Sequence, residues 1–123
     1  MHIELIYYNF VSYLDEILRM MEVKENVFTD KQEKIARYSK ALGHPVRVFI
    51  MDFLVKNTEK CCYSGDMALE LPIARSTLSQ HLSELKAAGL IQGEINPPYI
   101  KYCINKESWA EAKELFGTFF SRR

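Results

Sequence analysis

Three cysteines, Cys61, Cys62 and Cys103, are the chain's soft nucleophiles. Three thiolates suit a trivalent metalloid, and two suit a reversible disulfide. Free cysteine is also commonly just a small core residue, so buried or idle thiols are the plain alternative. The histidines are His2, His44 and His81, all outside the C-terminal segment that carries Glu111 and Glu114. Those two carboxylates alone make a poor transition-metal site, because imidazole and thiolate ligands are missing there. The sequence offers no Ser-His-acid arrangement, phosphate loop or metal-ligand cluster, so it does not read as an enzyme and requires no cofactor.

A different chemistry is carried by ARSTLSQHLSELKAAGLI, Ala74 to Ile91. With Leu78 at the centre of a buried stripe, a 3.6-residue period brings Leu82 and Leu85 beside it. Ser76, Gln80, Ser83 and Ala87 project the other way, with Thr77 and Ser79 on the flanks. A solvated face would carry long Glu and Lys side chains in those places. Small polar groups instead let the backbone approach something closely, and hydroxyls and an amide can both donate and accept hydrogen bonds. His81 lies near the edge of the stripe and reads as a structural or flanking residue.

The elements that must position these groups follow from pattern and punctuation. At 123 residues, with 48% hydrophobic and 26% charged residues, the chain has room for one compact domain. Its formal net charge is zero, so any nucleic-acid contact must rest on local patches. Three cysteines, two of them adjacent, do not make a disulfide framework, and a reducing cytoplasm is the expected home. The N-terminal stretch carries Glu4, Asp15 and Glu16, which fits neither a signal peptide nor a membrane span. Within it Leu5, Ile6, Phe10, Tyr13, Leu14, Ile17, Leu18 and Met21 follow helical spacing. The run RMMEVKEN offers Met20 or Met21 as alternative starts, which would make the leader an extension.

Thr29 or Asp30 can cap a second helix over about 31–42, stopped by Gly43. Pro45 suits the first turn of a third, with Val46, Ile50, Phe53 and Leu54 inward. Cys61 to Tyr63 reads as a brief strand or extended link, and Ser64 as the cap of a small helix reaching Leu71, closed by Pro72. After the helix Arg75–Ala88 and Gly89, Ile91, Gly93 and Ile95 alternate with polar residues, as do Ile100, Tyr102 and Ile104. Asn96-Pro97-Pro98 links these two strands. The expected fold is mainly α with a small β-hairpin: a winged helix-turn-helix with an extra N-terminal helix. Residues 1–29 form the leader and link, and 30–123 the winged domain with a C-terminal helix.

Two motifs carry a family resemblance. ALGHPVRVFIMDFL, Ala41 to Leu54, resembles the leucine-glycine-histidine-proline entry, followed by arginine, of the ArsR/SmtB winged-helix repressors. STLSQHLSELKAAGLI, Ser76 to Ile91, resembles their recognition helix and first wing strand. The resemblance spans roughly 31–120 and implies a homodimer, a palindromic double-stranded DNA operator and repression relieved by an inducer. Ser76, Thr77, Ser79 and Gln80 then become candidates for base edges or phosphates in a major groove about 12 Å wide, with the Gln80 amide suited to adenine. Arg75, Lys86 and Lys101 become candidate backbone contacts. The zinc-type site of this family needs histidines on the C-terminal helix that this chain lacks. The arsenic-type Cys-x-Cys pair would fall on Tyr63 and Gly65, so it does not carry over either.

In a winged helix, however, the strand at Cys61–Tyr63 pairs with the hairpin and can bring its cysteines near Cys103. Neighbouring strand residues face opposite ways, so only one of Cys61 and Cys62 is expected to share a face with Cys103. A trivalent metalloid or an oxidant is the candidate inducer. Trp109, Ala112, Leu115, Phe116, Phe119 and Phe120 make nearly one apolar stripe, which a chain this short has trouble hiding. Trp109, Leu115, Phe116, Phe119 and Phe120 are therefore expected at a homodimer interface, where the resemblance also places this helix. The acidic leader argues against membrane attachment. The rival reading is a winged helix used only for protein interaction, favoured if Arg75, Lys86, Lys101 and Arg47 do not form a basic stripe.

Overall fold

The computed structural model describes residues 2–25, 27–57 and 60–122. Two compact units divide between Glu33 and Lys34. The first is dominated by helix α1 (His2–Glu25), on which Leu5, Ile6, Phe10, Tyr13 and Leu18 are exposed while Ile17 is half-buried. Helix α2 (Asp30–Ala41) begins at a reciprocal cap. The Gln32 N–H donates to Thr29 Oγ1 at 3.1 Å, and the Thr29 N–H donates to Gln32 Oε1 at 2.9 Å.

The second unit takes in α2 from Lys34 onward and continues with α3 (Pro45–Lys56), β1 (Cys62–Tyr63), α4 (Ser64–Ala68), α5 (Arg75–Ala87), β2 (Ile91–Asn96), β3 (Tyr99–Ile104) and α6 (Lys106–Ser121). Pro45 supplies the fixed φ of a first helical turn, and the His44 ring accepts from the Val46 N–H at 3.1 Å, closing the N-terminus of α3. The link at Cys61–Tyr63 is a strand in its last two residues. Two details differ from the sequence reading around α4. Its cap is Tyr63 rather than Ser64, because the Asp66 carboxylate reaches back to accept from the Tyr63 N–H at 3.2 Å. The helix also ends at Ala68, short of Leu71, and turns before Pro72.

Helix α5 ends in a Schellman arrangement. Gly89 takes φ +83°, its N–H bonds the Lys86 carbonyl, and the Leu90 N–H bonds the Leu85 carbonyl. The left-handed residue aims Leu90 and Ile91 straight into the core, where both are buried. The core gathers Tyr38 of α2, Ile50, Met51 and Leu54 of α3, Met67 of α4, Leu78, Leu82 and Leu85 of α5, and Ala112 of α6. Each of the three α5 leucines is at most 1% exposed, a burial that contributes about 1.5 to 3 kcal/mol per side chain.

The strands form one antiparallel sheet in the order β1-β3-β2, with Cys62 opposite Tyr102, Tyr63 opposite Lys101, Ile91 opposite Ile104 and Glu94 opposite Lys101. Only the base of the hairpin completes the core. Ile91 and Ile104 are buried, whereas Ile95 is 78% and Ile100 43% exposed, so the alternation read from the sequence continues past the end of the core. The tip, turned by Pro97-Pro98, stands clear of the body as a wing. Among the described residues no helix is long and apolar enough to cross a membrane.

Candidate functional site

The outer face of α5 is as open as its spacing implies. Ser76, Thr77, Ser79, Gln80, Ser83 and Ala87 are all exposed, while Leu78, His81, Leu82 and Leu85 are buried. The helix starts at Ala74, whose methyl accepts nothing, so this N-terminus has no side-chain cap from its own first residue. Arg75 is exposed and its guanidinium lies over Gly65 at the start of α4. Lys86 is exposed and lies against Gly93 of the wing, where a larger side chain would meet its ammonium. Lys101 is half-buried, with its ammonium 5.2 Å from the centre of the Tyr63 ring.

Arg47 does not join these cations as a free surface charge. Its Nε donates to His81 Nδ1 at 3.1 Å, and Nη1 reaches the carbonyls of Lys40 and Ala41 at 3.4 Å each. One guanidinium thus ties the C-terminus of α2 and helix α3 to the back of α5. The His44 ring packs against that of His81, tilted by 44° with the centroids 4.4 Å apart, and completes the bracket. Burial pushes the His81 imidazole below its ordinary range, with the His44 and Arg47 charges acting in the same direction and Glu84 opposing them. The neutral ring is what Arg47 needs, since Nδ1 must carry a lone pair to accept the bond. The leucine-glycine-histidine-proline motif with its arginine is therefore the mount of the outward helix.

On α6, Trp109, Leu115 and Phe116 pack against the core of their own chain, so the stripe is not wholly left for a partner. Phe119 is 49% and Phe120 75% exposed, and the Phe120 ring contacts both Phe116 and Phe119. Glu111 faces inward to α2, accepting from Tyr38 Oη at 2.9 Å and pairing with Lys34 Nζ at 3.0 Å. The hydrogen bond from Lys34, then that from Tyr38, holds its carboxyl below the usual range. It is a fastening between helices.

The thiols separate as strand alternation requires. Continuing the β1–β3 register one step beyond Cys62 opposite Tyr102 sets Cys61 opposite Cys103, and the two are joined by a disulfide across a Cα–Cα distance of 4.6 Å. That spacing fits a directly opposed, non-hydrogen-bonded antiparallel pair. Cys62 points to the other face, into the core, where burial raises its thiol and the Asp66 charge adds to the effect. The three sulfurs therefore do not converge, and a metalloid needing three thiolates finds only two. Instead, Glu94 of β2 joins Cys61 and Cys103, their ligand atoms all lying within 4.8 Å of one another. Alternation with Ile95 sets Glu94 on the wing's polar face, but no local spacing in the sequence pairs it with Cys61 or Cys103.

Residues 42–94 match a family described as a helix-turn-helix domain. The HTH-type transcriptional regulator CmtR of Mycobacterium tuberculosis is 32% identical over 82 residues, covering 67% of this chain and 67% of its own. The biofilm growth-associated repressor of Xylella fastidiosa is 27% identical over 90 residues, or 73% of this chain and 76% of that protein. Among solved structures, a possible transcriptional regulator for arsenical resistance superposes with a TM-score of 0.59 at 26% identity, covering 66% of this chain and 81% of its own. The transcriptional repressor BigR from Xylella fastidiosa does so with a TM-score of 0.54 at 26% identity, covering 82% and 94%. Fold and relatives together define a winged helix-turn-helix regulator of transcription. The chain belongs to the ArsR/SmtB family of DNA-binding transcriptional regulators.

Proposed function

We propose that this protein is a cytoplasmic homodimeric repressor that reads a palindromic DNA operator through α5 and is released through its Cys61–Cys103 thiol pair. The observation that carries the DNA-reading half is the exposed small polar face of α5, set opposite a leucine stripe and fixed from behind by Arg47. Such a helix can lie deep in a major groove without long side chains holding it off. Gln80 reads a base, Ser76, Thr77 and Ser79 serve bases or phosphates, and Arg75, Lys86 and Lys101 meet the backbone. With zero net charge, these local cations carry the electrostatic attraction.

Phe119 and Phe120 at the end of α6 are the remaining candidates for the subunit contact, with Trp109, Leu115 and Phe116 supporting them from within each chain. Replacing both Phe119 and Phe120 by alanine is expected to shift the dimer towards monomer in sedimentation velocity while leaving the helical signal intact. A dimer of unchanged strength would remove α6 from the interface.

The thiol half rests on placement. The pair clamps β1, which leads directly into the helix-turn-helix, to the central strand of the wing. Disulfides in a reducing cytoplasm are usually transient and redox-sensing. Oxidation by a hydroperoxide converts two thiols into the disulfide, with the peroxide reduced by the same two electrons to an alcohol and water. Trivalent arsenite, which can bridge two thiolates, is the alternative inducer.

The test is a mobility-shift titration on DNA from upstream of the protein's own gene. Reduced protein is expected to bind with strong salt dependence, and mild oxidation or arsenite to weaken binding by about fivefold or more, the lower end of ordinary allosteric coupling. Binding that ignores both reagents would end the thiol reading and leave the repressor. No salt-sensitive binding at all would favour a winged helix serving protein interaction, which the withdrawal of Arg47 from the basic set makes the second reading.

A further inference from the structure

The outer face of the wing sheet assembles side chains from β2, from β3 and from the residue that leads into β1. Cys61 precedes β1, Cys103 lies on the central β3, and Glu94 lies on β2. Cys103 is directly opposite Gln92, so Glu94, two residues along, is its diagonal neighbour on the same face. Its opposite number Lys101 turns to the Tyr63 ring instead. Among the described residues no hydrogen bond or ion pair engages the Glu94 carboxylate. A soft pair of sulfurs and a hard oxygen thus stand within 4.8 Å of one another, the separation that ligands of one ion require.

We propose that reduced Cys61 and Cys103, together with Glu94, form a binding site for one thiophilic divalent cation of the Zn²⁺ or Cd²⁺ type. The donor set decides the class of ion. Two thiolates and a carboxylate match a borderline-soft, four-coordinate ion, with the fourth position left to solvent. Mg²⁺ and Ca²⁺ prefer all-oxygen sites, and a three-thiolate metalloid is excluded by the opposite facing of Cys62. Binding displaces the two thiol protons and involves no electron transfer. The disulfide uses the same sulfurs, so oxidation and cation binding exclude one another. The cation also reaches β2, which the disulfide does not, and so fixes all three strands where the disulfide fixes two. The inference rests on the thiol-pair reading above but not on DNA binding.

The experiment is an anaerobic Cd²⁺ titration of the fully reduced, full-length protein, read by the thiolate-to-cadmium charge-transfer absorption and by competition with a chromophoric chelator. One Cd²⁺ per chain is expected, with absorption proportional to two thiolates. Cys61→Ser and Cys103→Ser should each remove the tight binding. Glu94→Gln should keep the absorption and weaken binding by about tenfold or more, since even losing an outer-shell partner of a ligand costs that much. Cys62→Ala, on the opposite face, should leave both unchanged, and prior oxidation should block binding. Equal affinity in Glu94→Gln, or loss of binding in a folded Cys62→Ala protein, would overturn the assignment, as would absence of binding in the reduced wild type. Thiol counting separates the two levels. One reactive thiol in denatured oxidised protein and three after reduction uphold the pair whatever the cadmium result, whereas three in both would remove the pair itself.

Discussion

Replacing Arg47 by alanine is expected to lower the unfolding free energy by about 2 to 3 kcal/mol, the upper range for hydrogen bonds made by a charged donor. Three acceptors lose the guanidinium at once, His81 Nδ1 and the carbonyls of Lys40 and Ala41, although the Lys40 carbonyl keeps the Gly43 N–H at 3.3 Å. His81 is only 8% exposed, so little water replaces the guanidinium there. Arg47→Lys should recover part of the loss, because one ammonium cannot span the imidazole and both carbonyls in the planar geometry of arginine. Urea denaturation of the three proteins measures this directly, and a midpoint unchanged in Arg47→Ala would show that the bracket adds nothing.

The same bracket sets a pH dependence. In the unfolded chain His81 protonates around its ordinary value of 6.5, whereas burial keeps the folded ring neutral further down. Between those two values the unfolded state binds the extra proton, so this group's contribution to stability falls as the pH drops below about 6.5. The wild type should therefore lose thermal stability between about pH 7 and pH 5, and a folded His81→Gln protein should lose less over that interval. Identical slopes would mean that other groups dominate.

Arg47 also marks where the sequence ceased to be legible. The stripe of Leu78, Leu82 and Leu85, the stop at Gly89, the Pro45 entry and the strand alternation are repeated local signals, and each corresponds to an element of the fold. A cap at Thr29 or Asp30 was legible for the same reason, and the reciprocal bonds between Thr29 and Gln32 select Thr29. Arg47 meets His81 across 34 positions, and Cys61 meets Cys103 across 42. No local period records such pairs. Strand alternation could say that only one of Cys61 and Cys62 would reach Cys103, but the register was needed to say which. Glu94 was invisible as a ligand because its role exists only beside two residues of other strands. The unequal burial of Ile91 and Ile95 had the same cause: alternation is local, whereas the edge of the core is set by the helices packed on the strands, α5 against β2 and α3 against β3.

Gln80→Ala is expected to weaken binding to the specific operator by roughly 5- to 150-fold, the 1 to 3 kcal/mol that one bidentate side-chain-to-base contact contributes. Ser76→Ala should cost less, about 0.5 to 1.5 kcal/mol, because a hydroxyl makes a single hydrogen bond. Both side chains are exposed, so melting temperatures should stay within the small range of surface substitutions. The distinction between reading and holding provides the sharper check. Gln80→Ala should narrow the gap between operator and unrelated DNA, whereas Lys86→Ala should weaken both alike and reduce the salt slope by about one. Fluorescence anisotropy on operator and scrambled duplexes, over a salt series, gives both quantities. Operator affinity unchanged in Gln80→Ala and Ser76→Ala alike would assign the small polar face of α5 a purpose other than base recognition. A uniform loss on both duplexes would make that face a phosphate contact. Selective loss on the operator would establish that the small side chains let the helix backbone sit deep enough for the Gln80 amide to read a base edge.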